Sequence, residues 1–271
     1  MPDNSAVICC PNCFSKIDLA ATAPYRFPYS LSIICMTRGG QSSYNFIAQL
    51  DIDARELGAE FLVGYETDRV QDADGRPHYI PTMFSCKSFS IYTGGFVEGG
   101  LNQLAAHAQG RFVLRLDDDE SISPAMLQWL KDKKYEGAPA WAFPTAALWG
   151  DDKHFITSPP FWPDTHVRLT AWHMASDWPN EPHGKPDWVR TARPAPVAIR
   201  HHKFRIKTYV ERQAIADSYE AKLVGGGHGK RLVYSLPEDV LSQLTLSLVG
   251  AGPLSNIPQN SGEVIQIEKE N

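Results

Sequence analysis

The densest concentration of reactive side chains in this sequence is Asp117-Asp118-Asp119-Glu120. Four consecutive acids repel one another wherever they sit, and a cation resolves the conflict. Carboxylate oxygens are hard ligands, so Mg2+ or Mn2+ is the expected guest, and such an ion keeps open positions for phosphates. A solvated acidic turn is the plain alternative. A calcium loop is excluded. Asp117, Asp119 and Ser121 match the first alternating ligands of an EF-hand, but Ile122 replaces its turn glycine and Gln128 its late glutamate. His201-His202 is a second candidate, although a histidine after a strand is most often a hydrogen-bonded structural residue. Adjacent side chains on extended backbone point opposite ways, so only one of the two should reach a given ion.

The acids need an element to carry them. Phe112-Val113-Leu114-Arg115-Leu116 reads as a strand running straight into the acidic run, which puts the charges at a carboxyl end, where α/β proteins bind ligands. Before it, Leu101, Leu104, Ala105 and Ala108 mark a helical face, with Gly110 as the expected stop. After it, Ser123-Pro124 reads as a helix cap followed by the one helical position where proline costs little. Upstream, residues 31–37 form an apolar strand. Ser42 or Ser43 is the expected cap of a helix with Ile47, Leu50, Ala54 and Leu57 on one face and Gly58 closing it. Residues 61–65 are the next strand. Residues 139–196 are rich in Pro and Trp and read as an irregular, substrate-facing stretch; most of its six tryptophans should be packing residues, with about two in contact with ligand. A short strand at 197–199 leads to the histidines and to a helix over 204–223.

The chain has 271 residues, 43% of them hydrophobic, and a net charge of −5, which suits a globular fold and argues against holding polyanions by bulk charge. Residues 1–5 lack a basic segment followed by an apolar run, and no stretch approaches the roughly 20 apolar residues of a membrane span. A soluble cytoplasmic protein is expected. Five cysteines, with Cys35 inside an apolar run, suit reduced thiols. Cys10-Pro11-Asn12-Cys13 resembles half of a zinc ribbon, but with no second close pair nearby a structural Zn2+ is not the expected reading.

Between Ser30 and Tyr219 the chain resembles the GT-A glycosyltransferases, especially glycosyltransferase family 2. The resemblance rests on Thr37-Arg38, on Glu66 and Asp68, on residues 100–105 before Gly110, and on residues 114–120. Phe161-Trp162-Pro163-Asp164, Val167-Arg168-Leu169 and His201-His202-Lys203 continue it. It implies an α/β, Rossmann-like GT-A fold: a mixed central sheet flanked by helices, an irregular Trp/Pro-rich acceptor subdomain and a C-terminal helix. The implied boundaries are a Cys-containing extension over 1–29, a catalytic domain over 30–223 divided near 138, and a loose segment over 224–271.

The resemblance also implies roles. Asp117 and Asp119 match the ends of an Asp-x-Asp motif, the first near the nucleotide ribose and the last on the metal, with Asp118 between them. Thr37, Arg38, Glu66 and Asp68 fall in the nucleotide pocket, and Asn102 and Arg115 near the donor. His202 or His201 completes the metal site. The implied reaction moves a sugar from a nucleotide-sugar donor, with UDP as the expected nucleotide, to an acceptor hydroxyl with inversion. A divalent ion would stabilise the departing diphosphate, and a carboxylate would take the acceptor's proton. Asp164 is the candidate base, with Asp177 and Asp187 in reserve. The acceptor stays open between a glycan and a hydroxylated base in DNA; the basic stretch from Arg200 to Arg212 suits the latter, or simply a solvated helix face. A metal-dependent phosphohydrolase or nuclease, and a zinc- and nucleic-acid-binding module, are the alternatives.

Overall fold

The computed structural model of the chain describes residues 7–9, 16–18, 27–68, 85–95, 97–159, 161–179, 185–222 and 246–248. Cys10 and Cys13, with the zinc expectation attached to them, lie outside these residues, as does the segment beyond 250.

Strands β1 (Val7–Cys9) and β2 (Lys16–Asp18) form an antiparallel pair. The apolar run at 31–37 lies in β3 (Tyr29–Thr37), where every residue from Leu31 onward is buried. A strand covered on both faces shows no alternation, which is why it reads as a continuous run. Helix α1 (Gln41–Leu57) follows, with Ile47, Leu50 and Ala54 buried against the sheet. Gly58 ends it at φ 60°, in the left-handed region that suits glycine. The expected serine cap is absent. Gly40 is the N-cap and makes no side-chain bond, while the Ser43 hydroxyl is turned to Asp118.

Next come β4 (Glu60–Glu66), β5 (Lys87–Ile91), α2 (Glu98–Ala105) and β6 (Gly110–Asp117). Strands β5, β4, β3 and β6 lie side by side in that order, all parallel, so Ile91, Glu66, Thr37 and Asp117 end on one edge. Gly110 opens β6; α2 has already ended at Ala106. A Cβ on Gly110 would lie 2.3 Å from the Ser32 backbone nitrogen, so the residue is needed for the close approach of β6 to β3. Gly110→Ala is expected to cost about 3 kcal/mol, since the obstacle is backbone and cannot rotate aside. Denaturant midpoints measure this, and a loss below about 1 kcal/mol would count against so tight a contact.

Strand β7 (Glu120–Ile122) and helix α3 (Pro124–Lys131) follow the acids. Ser123 caps α3 as expected, its Oγ accepting from the Met126 N–H at 3.2 Å. Residues 139–196 are irregular only in part. Two eight-residue strands, β8 (Ala140–Ala147) and β10 (Asp164–Ala171), run through them, with β9 (His154–Ile156) and the two-residue β11 (Arg193–Pro194). Beyond β6 the sheet continues through β10, β8, β12 (Ile199–His201) and β7. Both parts of the expected catalytic domain therefore share one mixed sheet. The expected C-terminal helix is broken at Lys207 and Thr208 into α4 (Lys203–Ile206) and α5 (Tyr209–Lys222). A last strand, β13 (Leu246–Leu248), pairs with β9.

Helices cover both faces of the sheet. Ile47, Leu50 and Ala54 of α1 and Met126, Trp129 and Leu130 of α3 build one core, and Leu101, Leu104 and Ala105 of α2 build the other. Cys35 and Cys86 are free thiols. Among the described residues no helix is long and apolar enough to cross a membrane.

Candidate active site

The acidic run turns between β6 and β7, and the fold gives each carboxylate a different environment. Asp118 Oδ2 accepts from the hydroxyls of Thr37 at 2.7 Å and Ser43 at 2.8 Å, tying the turn to the end of β3 and the start of α1. Burial and the neighbouring Asp119 charge push its pKa up. Asp117 faces two guanidiniums: Arg168 Nη2 lies 2.7 Å from Oδ2, and Arg115 Nη2 lies 3.4 Å from Oδ1. Burial opposes its ionisation, but Arg168 and Arg115 hold its carboxyl well below the usual range. Glu120 is buried and accepts from Arg168 Nη2 at 2.6 Å and from the Asp117 N–H at 3.0 Å. Burial pushes it up to about 7 against the pull of Arg168.

Asp119 is buried between the His201 imidazole and the Lys207 ammonium. Its Oδ1 lies 3.3 Å from His201 Nε2, and its Oδ2 accepts from Lys207 Nζ at 2.7 Å. Burial would raise its pKa, yet His201 and Lys207 hold it well below the ordinary carboxylate value.

Of the histidine pair, His201 is the one that reaches the acids through its side chain. His202 turns the other way: Nε2 lies 2.8 Å from Ser121 Oγ, the ring lies against Phe46, and only its backbone N–H meets Asp119, at the carbonyl. Burial and Arg205 push its pKa down to about 4, so it is a neutral internal residue at physiological pH.

The other expected pocket residues separate into four groups. Thr37 joins the acids directly, while Arg38 and Glu66 face each other at 3.6 Å across the ends of β3 and β4. Asp68 accepts from the Thr93 N–H at 3.0 Å, the Thr93 hydroxyl at 2.9 Å and the Gly95 N–H at 2.6 Å, so it braces the loop after β5. Asn102 is committed to the Trp178 backbone, donating to its carbonyl at 2.8 Å and accepting from its N–H at 3.0 Å. That clamp holds the Trp178 ring 5.3 Å from the Arg115 guanidinium. Asp164 Oδ1 lies 2.9 Å from His166 Nε2. Burial works against its charge, but His166, then Lys203 and His201, hold it below the ordinary carboxylate range.

Most of the tryptophans are packing residues. Trp141, Trp172 and Trp188 donate their indole N–H to the Tyr135 carbonyl, the Ala108 carbonyl and the Asp177 carboxylate. Trp149 packs on Phe204 and Trp162 on Phe155. Asp177 is thus engaged by Trp188, and Asp187 opens a 3-10 turn. The basic stretch is a solvated face only in part, with Arg205 exposed. Arg212 is fully buried, its guanidinium 5.1 Å from the Phe204 ring and donating to the Lys207 carbonyl at 2.6 Å.

Three residues of the site escaped sequence reasoning as individuals: Ser43, Arg168 and Lys207. A charged residue inside the apolar Val167-Arg168-Leu169 run was the available signal for Arg168. Pairing shifts there: Val167 faces Ala142 and Leu169 faces Trp141, which leaves Arg168 without a partner on β8 and aims it at the acids.

Among the described residues, no three His, Cys, Asp or Glu side chains are gathered so as to hold a metal ion. The carboxylate–imidazole pair of Asp119 and His201 is nevertheless a donor set that suits Mn2+ better than Mg2+, because one of its ligands is nitrogen. Asp117, between two arginines, and His202, on Ser121, are not turned toward that pair.

No family model matches the chain, and no curated protein matches it. Solved structures with a similar chain path include the S. aureus TarS fragment 1–349 in complex with UDP-GlcNAc, at 14% identity and a TM-score of 0.42 over 76% of this chain and 70% of that one. Another is the 4-diphosphocytidyl-2C-methyl-D-erythritol synthase of Anaerococcus prevotii DSM 20548, at 12% identity and a TM-score of 0.40 over 66% of this chain and 92% of that one.

Proposed function

We propose that this chain is a GT-A-type glycosyltransferase that moves a sugar from a nucleotide-sugar donor, UDP-linked in our reading, to an acceptor hydroxyl with inversion, assisted by a divalent cation. The observation that carries the proposal is the position of Asp119: a buried, ionised carboxylate just past the end of a parallel strand, beside His201 and Lys207. Ligands of open α/β sheets sit at such strand ends. Asp119 and His201 would hold the cation, which when bound neutralises charge on the departing diphosphate.

The chain's own groups supply the rest. Thr37 and Ser43 fix Asp118 and with it the turn, so the acids are held before any ligand arrives. Arg38, Glu66 and Asp68, at and just beyond the ends of β3 and β4, would serve the nucleoside end of the site, and Arg115 with Trp178 the donor sugar. Asp164, ionised and oriented by His166, would take the acceptor's proton as the hydroxyl attacks the anomeric carbon. The engagement of Lys207 and Arg212 inside the fold weighs against a nucleic-acid-binding module built on the 200–212 stretch.

Calorimetric titration with a panel of nucleotide sugars, with and without Mn2+, tests the donor; transfer assays with glycans and with hydroxylated-base DNA separate the acceptors. If no nucleotide sugar binds in either condition, the proposal fails. Asp164→Asn is expected to keep donor affinity within about twofold while lowering transfer about 100-fold or more. Unimpaired transfer by that variant would remove Asp164 as the base.

A further inference from the structure

Lys207 is paired with the carboxylate that, in the proposed function, would hold the cation. Its Nζ lies 2.7 Å from Asp119 Oδ2, while the other oxygen of that carboxylate faces His201 Nε2. The Lys207 backbone is fixed. Its N–H donates to the Lys203 carbonyl at 3.1 Å, and its carbonyl accepts from the buried Arg212 at 2.6 Å. Only the flexible four-carbon stem is left to move, and it is about a quarter exposed.

We propose that Lys207 occupies the cation place at Asp119 in the ligand-free protein and is displaced onto the nucleotide diphosphate when a divalent ion enters, which makes ion and nucleotide bind synergistically. The second half of this inference rests on the nucleotide-sugar reading. Two cations against one buried carboxylate repel each other, so an ion arriving alone must push the ammonium away. The displaced ammonium stays near Lys203, whose charge already acts on Asp119 and His201, and an anion is needed to receive it. A diphosphate has the charge and the oxygen acceptors for that. Each ligand then removes the obstacle to the other, which is a coupling free energy between two sites and is reciprocal.

The test uses the full chain and its Lys207→Met and Lys207→Gln variants, each checked for native thermal unfolding. MnCl2 is titrated alone and with saturating UDP, followed by the electron paramagnetic resonance signal of free Mn2+. After the Mn2+ held by free UDP is subtracted using a protein-free titration, UDP is expected to tighten Mn2+ binding in all three proteins, because the ion meets the diphosphate, and to do so about tenfold more in the native chain than in the variants. Without UDP, the variants should bind Mn2+ about tenfold more tightly than the native chain, because Asp119 no longer holds an ammonium. Mn2+ affinity that is undetectable throughout, or equal in all three proteins without UDP, overturns the proposal. Tighter Mn2+ binding by the variants with no effect of UDP on any protein keeps Lys207 in the cation place, and overturns the nucleotide reading together with the synergy.

Discussion

An Arg168→Ala variant is expected to be about 3–5 kcal/mol less stable than the native chain, with a melting midpoint roughly 10 °C lower. Arg168 is buried, and its Nη2 bridges Asp117 Oδ2 at 2.7 Å and Glu120 Oε1 at 2.6 Å. Removing the guanidinium leaves Glu120 buried beside Asp117 with no cation between them, and the cost of an unpaired buried charge exceeds the packing lost with the side chain. Arg115 cannot substitute, because it reaches only the other oxygen of Asp117, at 3.4 Å. Adding Glu120→Gln to Arg168→Ala should restore at least about 1 kcal/mol, since the amide fills the same space without the charge. Chemical denaturation at neutral pH measures both. A loss under about 1 kcal/mol for the single variant would mean that water already compensates these acids.

Asp119→Asn is expected to lower transfer about 1,000-fold and to abolish the dependence of donor binding on Mn2+. The substitution keeps shape and removes charge, so it separates the electrostatic role of Asp119 from its part in the turn, where its backbone carbonyl accepts from the His202 N–H at 2.8 Å. Fold stability should change little by comparison with Arg168→Ala, because Lys207 and His201 can turn toward solvent more readily than Glu120 can. Donor titrations with and without Mn2+, beside single-turnover transfer, read the effect. Equal Mn2+-dependent donor affinity in variant and native chain would end the proposed role of this carboxylate.

Much of the first half of the fold was legible because its signals are local. The 31–37 run is apolar because both faces of β3 are covered, and the Ile47, Leu50 and Ala54 stripe has helical spacing because one face of α1 meets the sheet. Ser123 and Pro124 start α3 through bonds spanning three residues. The same local reading assigned Ser43 to a helix cap, which its type and place suit. The structure gives its hydroxyl to Asp118, 75 residues away in sequence, and no local rule chooses between those acceptors. Strand β8 was hidden for a different reason. It is buried on both faces and includes Trp141 and Pro144, so it lacks the alternation by which strands are recognised.

The sequence by itself determined that an apolar strand runs into four acids, which calls for positive charge at the end of a sheet. Only the tertiary structure decided where that charge comes from. Arg168 arrives through a shift in pairing on β10 and Lys207 through the break between α4 and α5, while the pairing of β12 with β7 adds the His201 imidazole, whose own pKa burial and Lys203 push down. Coulomb attraction acts through space and ignores separation along the chain, so the partners of Asp117 and Asp119 that lie 51 and 88 residues away come into reach only when the sheet is assembled.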